Sequence, residues 1–291
     1  MSIRTSDLPL LACPDTHGPL SWRGTNVELE LQDGVLVSER SGLAWCVEEG
    51  WVRLCREPAV KGKKALLHRI YDTLPKLHDP LVSGTLPLFQ GKGTERELRS
   101  AALDRLDLGA LKSAGSGARV RILEVGVGSG ANLPYILERL PDGLLVEIWG
   151  VDISIGMLER AKARVKQDDM LRPITRLLMA DAALLPFADQ TFDRVFHIGG
   201  IGGMADPGRA LAELGRVAKA GTPIVVVDEQ RDPAAPLNPL QALAFKAITF
   251  YDEAPASPKA LLPKGAVGVK DEQISPFYYC LSYRMEGPRA A

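Results

Sequence analysis

The sequence predicts an α/β protein: a parallel sheet with helices on both faces, preceded by a small β-rich module and a helical cap. Three observations carry this. First, Val120, Ile122, Leu123 and Val125 form a short apolar run, as in a strand buried on both faces. Gly126, Gly128 and Gly130 follow at alternate positions, and then Leu133, Ile136, Leu137 and Leu140 recur at a helical period. Second, strand-like segments (LLVEIWGVD, ITRLLMAD, TFDRVFHIGG, TPIVVVDE) alternate with helical ones (SIGMLERAKARV, PGRALAELGRVAKA). That alternation implies a parallel sheet covered on both sides. Third, residues 8–54 carry short alternating segments and turn signals instead.

Composition sets the class. The 291 residues are 46% hydrophobic and 24% charged, ordinary for a soluble globular chain. The formal net charge of −1 gives no basic surplus for RNA, DNA or anionic lipid, so neither a nucleic-acid nor a membrane partner is expected. The N-terminal MSIRTSDLPLL lacks the apolar core of a signal peptide, and no apolar run approaches the ~18 residues of a spanning helix. Cys13, Cys46, Cys55 and Cys280 read as scattered reduced thiols, which fits a cytoplasmic protein.

In chain order, residues 1–58 make the β-rich module. VELEL (Val27–Leu31) and VLV (Val35–Val37) are expected to pair across Gln32-Asp33-Gly34, and GLAWCV with WVRL across Glu48-Glu49-Gly50. Leu29, Leu43, Trp45, Val47 and Val52 are its expected core. Residues 59–115 form a helical cap and connector, ending in the flexible SAGSG (Ser113–Gly117). Residues 116–291 form the ligand-binding domain. Within it, Ser154 is placed as a helix N-cap, QALAFKAITFY as a helix, and FYYCLSYRM as an edge strand. The segment from Phe245 to Leu262 would overhang the site.

The chemistry gathers at strand ends. Glycines after the first core strand let a ligand lie against the backbone. Glu124, two residues before Gly126, would repel a pyrophosphate and hold an ammonium or sulfonium. Asp152 ends the second strand, where a carboxylate accepts hydrogen bonds from both ribose hydroxyls. Asp181 follows the third strand, and His197 ends the fourth.

The stretch E-V-G-V-G-S-G resembles the first motif of class I S-adenosylmethionine (SAM)-dependent methyltransferases of the UbiE-like, type 11 group, and the resemblance covers about residues 119–229 at motif level. It implies a Rossmann-like fold, SAM as cofactor and a small-molecule acceptor, natural-product or quinone-like. It also implies cofactor contacts from Tyr71, Glu124, Gly126, Gly128, Gly130, Asp152, Ile153, Met157, Asp181, Ala182 and His197, with Asp181 against the adenine amino group. IYDTLPKLHDPL is similar to the segment that caps the cofactor pocket in that group; Tyr71 and Asp72 match it, while Pro75 and His78 depart from it.

LLACPDTHGPL with SERSGLAWCVEEGWVRL resembles the Trm112-type zinc-ribbon modules. Two Cys pairs of that family fall here on Cys13 with Thr16, and on Ser38 with Ser41. Three of the four positions are hydroxyls, so no metal is expected. His197 has two readings: a general base for a hydroxyl-type nucleophile, or a ring packed beneath the cofactor. An RNA- or protein-directed methyltransferase using the module for recognition, and an NAD(P)-dependent oxidoreductase, are the alternative functions.

Overall fold

The computed structural model describes residues 2–56, 62–73, 95–113, 115, 117–235 and 238–287, without the side chains of 67, 68, 71 and 72. His78 and Pro75 of the cap motif lie outside the described residues, and of Tyr71 only the backbone is described.

One sheet runs through the molecule. Strands β1 (Leu20–Val27), β2 (Glu30–Ser38), β3 (Ala44–Glu48) and β4 (Trp51–Leu54) form an antiparallel meander. Helices α1 (Lys63–Thr73) and α2 (Glu95–Asp104) follow. The core then runs β5 (Val120–Val125), α3 (Leu133–Leu137), β6 (Val146–Asp152), α4 (Ile155–Lys166), α5 (Leu171–Ile174), β7 (Thr175–Ala180), β8 (Arg194–Ile198), α6 (Pro207–Val217) and β9 (Ile224–Glu229). Helix α7 (Pro239–Ile248) precedes the closing strands β10 (Ala266–Ser275) and β11 (Tyr278–Met285). The order across the sheet is β1-β2-β3-β4-β7-β6-β5-β8-β9-β11-β10. Strands β7, β6, β5, β8 and β9 are mutually parallel; β11 runs antiparallel to its two neighbours, β9 and β10.

The period of two along each core strand divides the interior. Val120, Ile122, Val225 and Val227 face Ala102, Leu103, Leu158 and Ala161 on one side of the sheet. Leu123, Val125, Ile224 and Val226 face Leu211 and Leu214 of α6 on the other. That second layer continues without a break into Leu31, Leu36, Trp45, Val47, Val52 and Leu54 of the meander. An edge-to-face trio, Trp149, Phe187 and Phe192, sits in the same layer, with Phe187 and Phe192 centroids 4.8 Å apart.

Three features join the meander to the core. Strand β4 pairs in parallel with β7 through Arg53 with Met179 and Leu54 with Ala180. Leu11 bridges Phe187. The Arg176 Nε donates to Asp7 Oδ2 at 2.9 Å, with both side chains almost wholly buried.

Three expectations need correction. The first hairpin turns at Glu28-Leu29, not at Gln32-Asp33-Gly34, because Val27 pairs with Glu30. Gln32 is the extra residue of a bulge, and Gly34 lies opposite Gly24 because a Cβ on either would collide with the Trp22 ring and the facing backbone. In consequence Leu29 sits at an exposed turn, and Leu43 is exposed as well, so neither belongs to the core. Residues 278–285 are an interior strand, since the charged and unburied β10 takes the edge. The Glu49-Gly50 turn does have positive φ at both residues, as a two-residue hairpin requires.

The four positions similar to the zinc ligands meet in space. The Thr16 and Ser38 hydroxyls lie 3.5 Å apart, and Ser38 Oγ accepts from the Ser41 amide. Burial pushes the Cys13 thiol up, but hydrogen bonds from Thr16, Ser38 and the backbone outweigh it and bring it below its ordinary range. Among the described residues no group of His, Cys, Asp and Glu is arranged to hold a metal, and no helix is long and apolar enough to cross a membrane.

Candidate functional site

The carboxyl ends of β5, β6, β7 and β8 lie side by side, and there Glu124, the loop glycines, Asp152, Asp181 and His197 stand on neighbouring strands or the loops that follow them, while Tyr71 lies on α1 with only its backbone described. The glycine loop leaves β5 and is stitched to β6: the amides of Gly126 and Val127 both donate to the Val151 carbonyl, at 2.8 and 2.9 Å. Gly126, Gly128 and Gly130 have φ of 71°, 53° and 74°, a left-handed backbone that glycine adopts without strain. A Cβ on Gly126 would stand 3.0 Å from the His197 ring, and one on Gly128 would stand 3.3 Å from Met157 Cε. The underside of the loop is therefore full.

Asp152 braces the loop from β6. One carboxylate oxygen accepts from the Gly128 amide at 2.8 Å and the other from the Ser154 amide at 2.9 Å. Burial raises its pKa against the pull of these two donors. Ser154 in turn caps α4 by accepting from the Met157 amide; Ile153 lies between the two and is half-buried. Asp181 immediately follows β7 and accepts from the Ala183 amide at 2.8 Å with one oxygen. Ala182 packs partly buried against the core.

Glu124 has no solvent exposure. Its Oε1 accepts from Asn132 Nδ2 at 2.5 Å, and its Oε2 is buried with no hydrogen-bond partner among the described residues. Burial lifts its pKa to about 8, while Asn132 and Arg99 pull the other way. Sequence reasoning missed both partners. Asn132 is recognisable only as the polar residue heading α3, and nothing local marks Arg99.

His197 is buried to 1% exposure. Its Nδ1 lies 2.6 Å from the Val125 carbonyl, so Nδ1 carries the hydrogen, and Nε2 has no hydrogen-bond partner among the described residues. Burial lowers its pKa, leaving a neutral ring near pH 7.

Beside it, Asp228 accepts from the amides of Gly200 and Gly202 at 2.8 and 2.9 Å, fixing the loop after β8. Glu229 accepts from the Tyr251 hydroxyl at 2.9 Å. Burial and the Asp228 charge hold the Glu229 carboxyl well above the usual range. Tyr251 thereby ties the segment after α7 to the end of β9, and Phe245 stacks on Phe277 at 5.2 Å.

Comparison with known proteins agrees with this layout. Residues 123–226 match the methyltransferase domain family, and residues 8–50 match the Trm112p-like protein family. The chain is 36% identical over 132 residues to the phosphatidylethanolamine N-methyltransferase of Cereibacter sphaeroides, covering 45% of this chain and 60% of that one. It is 36% identical over 121 residues to the ubiquinone/menaquinone biosynthesis C-methyltransferase UbiE of Bordetella avium (strain 197N), covering 41% and 44%. The match thus spans about half the length of these relatives. Among solved structures, phosphoethanolamine N-methyltransferase 2 of Haemonchus contortus, in complex with S-adenosyl-L-methionine, aligns with a TM-score of 0.56 at 16% identity. That alignment covers 79% of this chain and 61% of that one, a likeness of fold. The region similar to the methyltransferase domain family thus has a Rossmann-like fold, and the region similar to the Trm112p-like family is joined to it through the same sheet.

Proposed function

We propose that the protein is a SAM-dependent methyltransferase acting on a small, largely apolar acceptor. The observation that supports the cofactor is Glu124. A buried carboxyl oxygen with no hydrogen-bond partner among the described residues, beside a glycine loop, suits a cationic ligand, which draws out its carboxylate form, whereas a pyrophosphate would gain no such attraction. SAM carries an ammonium and a sulfonium and no phosphate, so the residues present fit it, and they count against the NAD(P) alternative. When bound, SAM supplies a methyl group on a leaving group that departs uncharged.

The chain's own residues then bind and orient. Glu124 takes the ammonium, Asp152 the ribose, and Asp181 the adenine amino group through its second oxygen. The glycine loop lies against the ligand, flanked by Ile153, Met157 and Ala182. Holding the reactants in line and keeping water out can be worth ~7–11 kcal/mol. The apolar acceptor is suggested by α7 at the rim: Leu240 and Leu243 are 73% and 66% exposed, and none of its residues is buried. The relatives named for quinones and phosphatidylethanolamine point the same way.

The test is calorimetry with SAM and with NAD, followed by incubation with methyl-labelled SAM and separate lipid, tRNA and protein fractions. SAM binding, with label in the organic-soluble fraction, is expected. Heat from NAD alone would overturn the cofactor, and label confined to tRNA or protein would overturn the acceptor class.

His197 in this reading supports the loop. Replacing it by Ala leaves the Val125 carbonyl without its donor and a void beneath Gly126. The loss of about 1–2 kcal/mol should appear as a SAM affinity weakened about tenfold, with kcat at saturating SAM little changed. The general-base reading predicts the reverse, a hundred- to ten-thousand-fold fall in kcat with SAM affinity unchanged. The kcat and Kd of this one variant decide between them.

A further inference from the structure

The cap helix α2 reaches into the glycine-loop site through one chain of contacts. Arg99, on α2, donates Nη1 to Asn132 Oδ1 at 2.6 Å. Its Nε and Nη2 both donate to Glu95 Oε1, at 2.8 and 2.6 Å, one turn earlier on the same helix. Asn132, 3% exposed, spends its amide nitrogen on Glu124 Oε1. The carbonyl oxygen of Asn132 is thus committed to Arg99, which fixes which way the amide points. That orientation presents a donor, not an acceptor, to Glu124.

We propose that Arg99 and Asn132 are positioning residues for the cofactor ammonium: Arg99 sets Asn132, Asn132 holds one oxygen of Glu124, and the other oxygen is left for the ligand. This rests on the SAM reading of the site.

The relay has an electrostatic consequence. Among the described residues, the charged groups facing Glu124 are Arg99 from α2 and Asp152 from β6, with Glu95 as the counter-ion of Arg99. Burial and Asp152 favour the neutral acid, whereas Asn132 and Arg99 favour the carboxylate. With a pKa of about 8, ligand-free Glu124 is protonated at pH 7. An ammonium docking on Oε2 favours the carboxylate, so the proton leaves as the ligand binds. Removing Arg99 takes away a group that lowers this pKa. The midpoint must then rise, and binding at pH 7 must weaken.

The experiment has two arms. The first is a carbon-13 NMR titration of the Glu124 carboxyl in the ligand-free protein, assigned with Glu124→Gln. Wild type should titrate near 8. Arg99→Met should shift the midpoint upward, and Arg99→Lys, which keeps the charge, should return most of the shift. The second is SAM calorimetry at pH 7 in two buffers of different ionisation enthalpy. Wild type should release about one proton, Glu124→Gln none, and Arg99→Met should bind about tenfold more weakly.

An unchanged Glu124 midpoint in Arg99→Met would overturn the relay, as would an unchanged SAM affinity. If wild type binds no SAM while its midpoint still responds to Arg99, the cofactor reading has failed and the ammonium role assigned to the relay falls with it.

Discussion

Replacing Asp7 by Ala is expected to lower folding stability by about 3–5 kcal/mol, measured as a fall in the midpoint of urea unfolding at unchanged slope. Asp7 and Arg176 are 5% and 2% exposed at their side chains. Asp7 also accepts from the Arg4 amide at 2.9 Å, closing the first turn of the chain. Arg176 donates in addition to the carbonyls of Pro173 and Thr175. Without the carboxylate, the guanidinium keeps those two carbonyls but stays buried with its charge uncompensated. That orphaned charge, more than the lost attraction, sets the size of the effect. The double change Asp7→Leu with Arg176→Met should therefore recover most of the loss, because it removes both charges and fills their space. A loss below about 1 kcal/mol in Asp7→Ala would mean that water reaches the pair in solution.

Asp152→Ala should weaken SAM binding by roughly 2 kcal/mol or more, at least about thirtyfold in Kd by calorimetry. Two losses combine. The Gly128 and Ser154 amides lose the carboxylate that holds the loop in its left-handed conformation, and the ribose loses its acceptor. Asp152→Asn keeps one carbonyl oxygen and so can accept from only one of the two amides, and it should fall between wild type and Ala. An unchanged Kd in Asp152→Ala would remove Asp152 from the site.

The parallel core was legible because strands buried on both faces leave continuous apolar runs, and β5 to β9 are such runs. The strand-end carboxylates Glu124, Asp152 and Asp181 were legible for a related reason: a charge at the end of an apolar run is conspicuous. The module was harder. Asp33-Gly34 has the form of a turn, but Gly34 is required by the Trp22 ring lying over it, a cross-strand demand that no local pattern displays. Strand β10 was missed because Lys270, Asp271 and Glu272 break the alternation, as edge strands permit. The Arg99–Asn132–Glu124 relay and the Asp7–Arg176 pair were invisible for a simpler reason. Arg99 lies 33 residues from Asn132 in the chain, and Arg176 lies 169 residues from Asp7.

The seam between β4 and β7 bears on the order in which the molecule is made. The module leaves the ribosome before the parallel core, with the outer edge of β4 unpaired, and its partner strand follows only after β5 and β6. Until then β4 is an open edge of the kind that recruits other chains. It is short, and it carries Arg53 among its four residues, both of which discourage stray pairing. Closing this seam joins distant parts of the sequence and is a slow step by that measure. The nascent chain is thus most exposed to mispairing between completion of the meander and arrival of β7.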